Sequence, residues 1–228
     1  MAKQTATANV PATWTPVSQL PTAAQDDVGL GNENVSSSDI IMPRLKLLQQ
    51  MSPEVTPGTE KYIEGARAGL LLNSLTGEVF PEIYCVNMKF KSGYTVWRKR
   101  NLGGGLYGAF ETEEEARNTL SADPNVKPDD YDVVESHTHA LLIFDETLQY
   151  TPILCDMESS KLKFSRQWNS HPKLTSGPRF ASIWKLSSKP VAGPKGNYFT
   201  YDVEFAGYAD DAMYEDLKAK YTELGFDK

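Results

Sequence analysis

Residues 197–207 alternate along their length: Tyr198, Thr200, Asp202 and Glu204 fall on one side of an extended chain, and Phe199, Tyr201, Val203 and Phe205 on the other. Successive side chains of a strand point to opposite faces, so this is the pattern of a strand with a buried face. Apolar stretches elsewhere are short, as at 140–144, and are separated by glycine, proline and polar turn residues. Such a chain folds mainly as antiparallel sheet. The same shortness excludes a membrane-crossing helix, which takes about 20 mostly apolar residues. With 40% hydrophobic residues over 228 positions the chain has enough apolar content for a real core, and its length suits one domain with appendages.

Residues 1–38 hold neither period. They are rich in Ala, Thr, Ser, Asn and Gln, carry Pro11, Pro16 and Pro21, and read as a flexible arm whose one large aromatic is Trp14. Strands are expected over 40–50 (with Pro43 placing it at an edge), 68–73, 79–90, 94–98, 131–144, 148–156, 179–187 and 197–207. The turn 91–93 is expected to fold 79–90 back on 94–98 as a hairpin. Thr112, followed by acids, predicts a capped helix over 112–120. Ser159 or Ser160 caps a second helix ending near Asn169. A third runs from about Asp210 to Leu224, with Met213, Leu217, Tyr221 and Leu224 as its apolar stripe.

This order predicts an α+β fold, mainly antiparallel β: an OB-like barrel with an inserted helix and a C-terminal amphipathic helix. The expected divisions are the arm at 1–38, the β-rich domain at 39–208 with an acidic insertion around 111–135, and the acidic helix at 209–228. Only Cys85 and Cys155 occur, too few to staple such a scaffold or to form a four-thiolate zinc site. Both thiols are expected to be buried in a protein of a reducing compartment. The opening MAKQTATANV has no apolar segment, so no secretory signal is expected.

The formal net charge of -7 conceals blocks of opposite sign. Residues 101–157 hold twelve acids against two bases, whereas 158–200 hold eight bases against one acid. A basic surface can therefore exist on an acidic protein, and a polyanion responds to the local field. One basic stretch is Lys89, Lys91, Arg98, Lys99 and Arg100, interleaved with Phe90, Tyr94 and Trp97. The other begins with Lys161, Lys163 and Arg166 around Phe164 and Trp168, and continues through Lys173, Arg179, Lys185, Lys189 and Lys195. Single-stranded nucleic acid calls for this mixture: exposed bases stack on rings at roughly 1–3 kcal/mol each, and phosphates take Lys and Arg. Strands also use aromatics for core packing, so about half of these rings are expected to point inward. Tyr94 and Trp97 are the preferred exposed platforms, because the charges around them make full burial costly. Trp168 fits either a platform or a core knob of its helix.

Gly103, Gly104 and Gly105, with Gly108, satisfy the letters of a G-x-G-x-x-G motif. No apolar strand precedes them and no apolar helix follows, so a dinucleotide site is not expected. A pliable loop beside a basic segment, able to approach a sugar–phosphate chain closely, is the better reading. His137 and His139 share a side of one strand. They make either a metal edge or, with no third ligand at a characteristic spacing, a surface-facing pair. Neither a Walker A motif nor a G-x-S-x-G elbow is present. The chain is expected to be no enzyme and to need no cofactor or metal. A metal-dependent nuclease built on the acids of 111–135 is the most distant alternative.

Four stretches carry a resemblance: 41–49 (IMPRLKLLQ), 69–78 (GLLLNSLTGE), 93–97 (GYTVW) with the Gly103–105 run, and 161–169 (KLKFSRQWN). Together they resemble a family of tailed-bacteriophage early proteins of the replication and recombination module, some described as single-stranded DNA-binding proteins. The resemblance covers roughly 39–208. It implies a non-enzymatic protein of the host-cell cytoplasm, with single-stranded DNA and phage replication or recombination proteins as partners and no membrane. Lys89, Lys91, Arg98, Lys99, Arg100, Lys161, Lys163 and Arg166 would neutralise phosphates, Tyr94, Trp97 and Trp168 would stack bases, and Gly103, Gly104 and Gly105 would let a loop close over the strand. The rival expectation is a protein-binding module, an adaptor for a phage polymerase or an inhibitor of a host enzyme. Its contact surfaces would be 111–135 and the C-terminal helix. Phage single-stranded DNA-binding proteins with an acidic C-terminal tail are a looser parallel; here the acids lie on an amphipathic helix and the chain finishes in Lys228.

Overall fold

The computed structural model describes residues 21–24, 27, 30–35, 39–193 and 196–225. It divides into two units, Met1–Ile41 and Met42–Lys228. In the first, the described residues include a 3-10 turn at Thr22–Ala24. Trp14, most of the expected arm, Lys195 and Lys228 lie outside the described residues.

The second unit is α+β and mainly antiparallel. Strands β1 (Leu45–Leu47), β2 (Leu71–Asn73) and β3 (Val79–Phe80) form a small sheet. The larger sheet is built on β4 (Ile83–Arg98), with β5 (Leu106–Phe110), β6 (Tyr131–Phe144), β7 (Tyr150–Glu158), β8 (Ser182–Gly193) and β9 (Gly196–Tyr208). Its order is β7-β6-β4-β8-β9, and β5 pairs with β4 off this path. Strand β4 keeps β6 along one side, from Cys85↔Ile143 to Arg98↔Tyr131. On its other side it pairs first with β8 (Ile83↔Leu186 to Val86↔Ile183) and then with β5 (Tyr94↔Phe110 to Trp97↔Leu106).

The hairpin expected at 91–93 is therefore absent, and 83–98 is one strand. Gly93 does not turn the chain. It lets β5 approach: a Cβ there would stand 2.7 Å from the carbonyl oxygen of Phe110. The true hairpin joins β4 to β5. Gly103, Gly104 and Gly105 turn it, at φ of 103°, 67° and 114°, a region L side chains rarely adopt.

The sheet does not close into the expected barrel. Strands β7 and β9 share no pairing among the described residues, because the small sheet stands at both their edges. At β7 the Leu154 amide donates to Pro43 O (2.9 Å), and Arg44 forms a parallel bridge with Leu154. At β9 the Gln49 carboxamide does what a strand backbone would: its Nε2 donates to Phe199 O and its Oε1 accepts from Phe199 N, both at 2.9 Å.

Both faces of the central strands are buried. Cys85, Leu141 and Ile143 pack on one side with Leu45, Leu71, Tyr201 and the helix α2 (Lys161–Asn169). Val86, Met88 and Leu142 pack on the other, beneath α4 (Asp211–Glu223). The expected stripe of α4 is spent on this core: Leu217 is fully buried, and Met213, Tyr221 and Leu224 pack around it. Asp210 caps the helix, accepting from Met213 N at 2.8 Å. A third helix, α1 (Glu113–Ala122), is capped by Thr112 as its sequence predicts and covers Val96 with Ala116 and Leu120. A short α3 (Pro172–Thr175) follows α2. Cys85 and Cys155 are buried and unpaired, and burial pushes the Cys155 thiol up to about 12. Among the described residues no helix is long and apolar enough to cross a membrane.

Truncating Leu217 to Ala is expected to cost about 2–5 kcal/mol in urea unfolding, the range for a buried leucine leaving a cavity. A midpoint equal to that of the unaltered protein would mean that α4 is not part of the folded core.

Candidate nucleic-acid interface

A cleft of ≈ 520 Å³ opens beside β5, over the neighbouring stretch of β4, β6 and β7. Its lining comes from β4 (Lys91 to Thr95, and Trp97), β5 (Leu106, Ala109, Phe110), the following residues Glu111 and Glu115, β6 (Ser136, Thr138), β7 (Asp156, Glu158), Arg44 and Lys161. Register explains the assembly. Gly93 lies opposite Ser136 and Lys91 opposite Thr138 across β4 and β6, while Ser136 lies opposite Glu158 and Thr138 opposite Asp156 across β6 and β7. Side chains of one parity from three adjacent strands thus share one floor.

The floor is hydrogen-bonded before any ligand arrives. Thr95 Oγ1 donates to Glu158 Oε1 at 2.6 Å, and the indole Nε1 of Trp97 donates to Thr95 Oγ1 (3.1 Å) and Glu158 Oε1 (3.3 Å). Thr138 Oγ1 donates to Asp156 Oδ1 (2.7 Å), whose other oxygen is paired with Arg44. Lys91 pairs with Glu111 at 2.9 Å, and that lysine holds the Glu111 carboxyl below its ordinary range. Trp97 is 37% exposed and Leu106 56%, so the floor offers apolar surface to solvent.

The two basic stretches meet here only in part. Lys91, Tyr94, Trp97 and Lys161 line the same cleft. Tyr94 is half-buried and packs with the α1 cluster, leaving less of its ring available than expected. Lys161 makes no ion pair among the described residues and lies 5.7 Å from the Tyr201 ring centroid. The rest of its block is dispersed. Lys163 lines a separate recess of ≈ 450 Å³ with Lys189 and Tyr198. Arg166 is engaged by Glu135 at 2.6 Å. Lys99 donates to Asp129 O and lines a third recess. Arg98 and Arg100 are exposed, outside the cleft lining, as is the Gly103–105 turn, and Lys89 is half-buried. The expectation that Trp168 stacks bases is overturned. It is 1% exposed, because it is the knob that α2 drives into the core against His139 and Trp184. Arg44, Thr95, Leu106, Phe110 and Glu158 were not foreseen. Only strand pairing brings them to the cleft.

His137 and His139 face inward, not to solvent, because their side of β6 is the side that α2 covers. Glu135 is held ionised first by Arg166 and further by His137, against the opposing cost of desolvation. It accepts from His137 Nε2 at 3.0 Å. With that nitrogen protonated, His137 Nδ1 accepts from Ser165 Oγ (2.8 Å). Ser165 then accepts from His139 Nε2 (2.7 Å), and His139 Nδ1 accepts from Asn87 Nδ2 (2.9 Å). All four bonds run in one direction. Asn87, His139 and Ser165 are fully buried, so the relay fixes α2 to the sheet and presents no nucleophile to solvent. Among the described residues no group of three or more His, Cys, Asp and Glu stands ready to hold a metal.

The sequence model of a family described as Pam3 phage gp34-like protein matches residues 14–225. No curated protein and no solved structure matches the chain.

Burial, and after it the charge of Arg179 and the neighbouring His137, lower the His139 imidazole from 6.5 to about 3. The unfolded chain therefore takes up a proton at this residue below pH 6.5 that the folded chain refuses until about pH 3. The stability that neutral His139 contributes is complete above that window and is lost as pH falls through it. Urea midpoints measured across the window should fall more steeply for the unaltered protein than for His139→Gln, even though the variant starts lower. Parallel curves would rule out His139 as an acid-labile point.

Proposed function

The chain belongs to the Pam3 phage gp34-like family, and from that premise we propose that it is a single-stranded DNA-binding protein without catalytic activity, coating exposed strands during phage DNA replication or recombination. The observation that carries this reading is the meeting of Trp97, Lys91 and Lys161, drawn from two distant segments, in one cleft where Trp97 and Leu106 expose apolar surface. Electrostatics orient the occupant. Glu111, Glu115, Asp156 and Glu158 outnumber Arg44, Lys91 and Lys161 in the lining, so phosphates are repelled from the floor. The backbone runs along the rim by Lys161 with bases turned inward, the Trp97 ring as their platform. Rings and phosphates are common to every sequence, so recognition is broadly sequence-independent.

The rival, a protein-binding adaptor or inhibitor, draws on Leu106, exposed opposite Trp97 across β4 and β5. Of the contacts expected for it, 111–135 and the C-terminal helix, the helix has its apolar stripe already occupied by the core. Pull-down from nuclease-treated host lysate separates the two, since partners bridged by DNA are lost.

A gel shift with a mixed-sequence single-stranded oligonucleotide should show binding that weakens steeply with salt, through counterion release. Trp97→Ala should weaken it by about 1–3 kcal/mol, roughly 5- to 150-fold in Kd, and more than Trp14→Ala does. No shift at low salt, or a flat salt response, would end this reading. Equal effects of the two substitutions would remove Trp97 as the platform.

A further inference from the structure

We propose that the Glu158 carboxylate reads the edge of the base lying on Trp97, and favours a base with an exocyclic amine, so that cytosine binds there better than thymine. This rests on the single-stranded DNA reading of the cleft and adds a base preference to it.

The argument begins with the position of the carboxylate relative to the ring. Glu158 meets Trp97 at the indole N–H, which lies in the plane of the ring, and not over a ring face. Thr95 Oγ1 grips the same oxygen at 2.6 Å, so the carboxylate is held at the edge of the platform. The half-exposed ring remains available for stacking. A base lying on that ring turns its own edge toward the group beside it. There it finds Glu158 Oε2, which accepts no hydrogen bond among the described residues, whereas Oε1 is already doubly engaged.

Asp156 cannot play this part. One of its oxygens accepts from Thr138 and the other faces Arg44. Glu111 is likewise engaged by Lys91 at the wall. An ionised carboxylate only accepts. Cytosine offers the N4 amine as a donor, whereas thymine presents the O4 acceptor at the equivalent position, and two acceptors repel. Adenine and guanine also carry amines, but purines stack more strongly, so the effect is isolated by comparing pyrimidines.

The test is competition among oligo-dC, oligo-dT and oligo-dU of equal length, at low salt and slightly alkaline pH, where cytosine is neutral. Oligo-dU separates the amine from the thymine methyl. Oligo-dC should bind roughly 2- to 10-fold more tightly than either of the others, the worth of one hydrogen bond. In Glu158→Gln the amide supplies a donor as well, and the preference should fall to parity or invert. Glu114→Gln removes the same charge from α1 outside the cleft and should leave the ratio where it was. Oligo-dT binding as well as oligo-dC in the unaltered protein overturns the inference, with no variant needed. So does a ratio that Glu158→Gln leaves unmoved. In both cases the binding function itself stands. If none of the oligonucleotides binds, the single-stranded DNA reading fails and this inference goes with it.

Discussion

Strand β4 has more backbone to satisfy than one neighbour can supply. Buried N–H and C=O groups must find partners, and the sixteen residues of β4 meet that demand by changing company partway along. Strand β6 lines one side from Cys85 to Arg98, while β8 serves the beginning of the other and β5 its end. Because β8 and β5 share that side in turn, the sheet forks there. The cleft lies at the β5 arm of that fork, and its floor is the stretch of β4, β6 and β7 that the arm leaves open.

The relay from Asn87 to Glu135 solves a second problem. Two imidazoles and an amide are expensive to bury unless each polar atom is matched. Here one serine on α2 matches both imidazoles, accepting a hydrogen bond from His139 and donating one to His137, while the Asn87 amide is matched at Nδ2 and its Oδ1 has no partner among the described residues. That fixes the helix lengthwise as well as sideways, since Ser165 sits between two rings spaced two residues apart on β6. The position of Lys161, one turn earlier on the same helix, follows from it. The charge at the rim of the cleft is thus located by a buried polar contact far from solvent. Trp168, on the same helix, supplies the apolar half of this anchorage.

Much of the fold was legible because it is local. Thr112 and Asp210 announce their helices by cap chemistry, and the period of 197–207 announces a strand; each signal needs only neighbours in sequence. The errors came where distant chain decides. Gly93 reads as a turn, but its missing side chain serves the backbone of Phe110. His137 and His139 read as an exposed pair, and nothing near them in sequence reveals that α2 lies over them. The barrel failed because a short sheet made from residues 45–80 stands where two edge strands would have met. Of the site, Trp97 was legible from the charge around it. Glu158 was not, since it earns its place only through the register of β6 on β7. Trp168 shows the limit of reasoning from composition: a ring among cations is as useful to a core as to a ligand.

The Gln49 carboxamide has a mechanical meaning. A strand joined to its neighbour by a ladder spreads any load over many bonds, and fraying at one leaves the rest in place. At the β9 edge the small sheet is fastened chiefly by one side chain, helped by the Tyr201 hydroxyl on Leu45 O and, from the neighbouring β8, the Ser188 hydroxyl on Gly69 O. Behind this seam lie Leu45, Leu47 and Tyr201, all buried. Local opening is easiest where few apolar contacts are buried, and this seam buries many. What resists its parting is therefore the packing of Leu45, Leu47 and Tyr201 behind it, with the carboxamide serving as a clasp that sets register rather than as the source of strength.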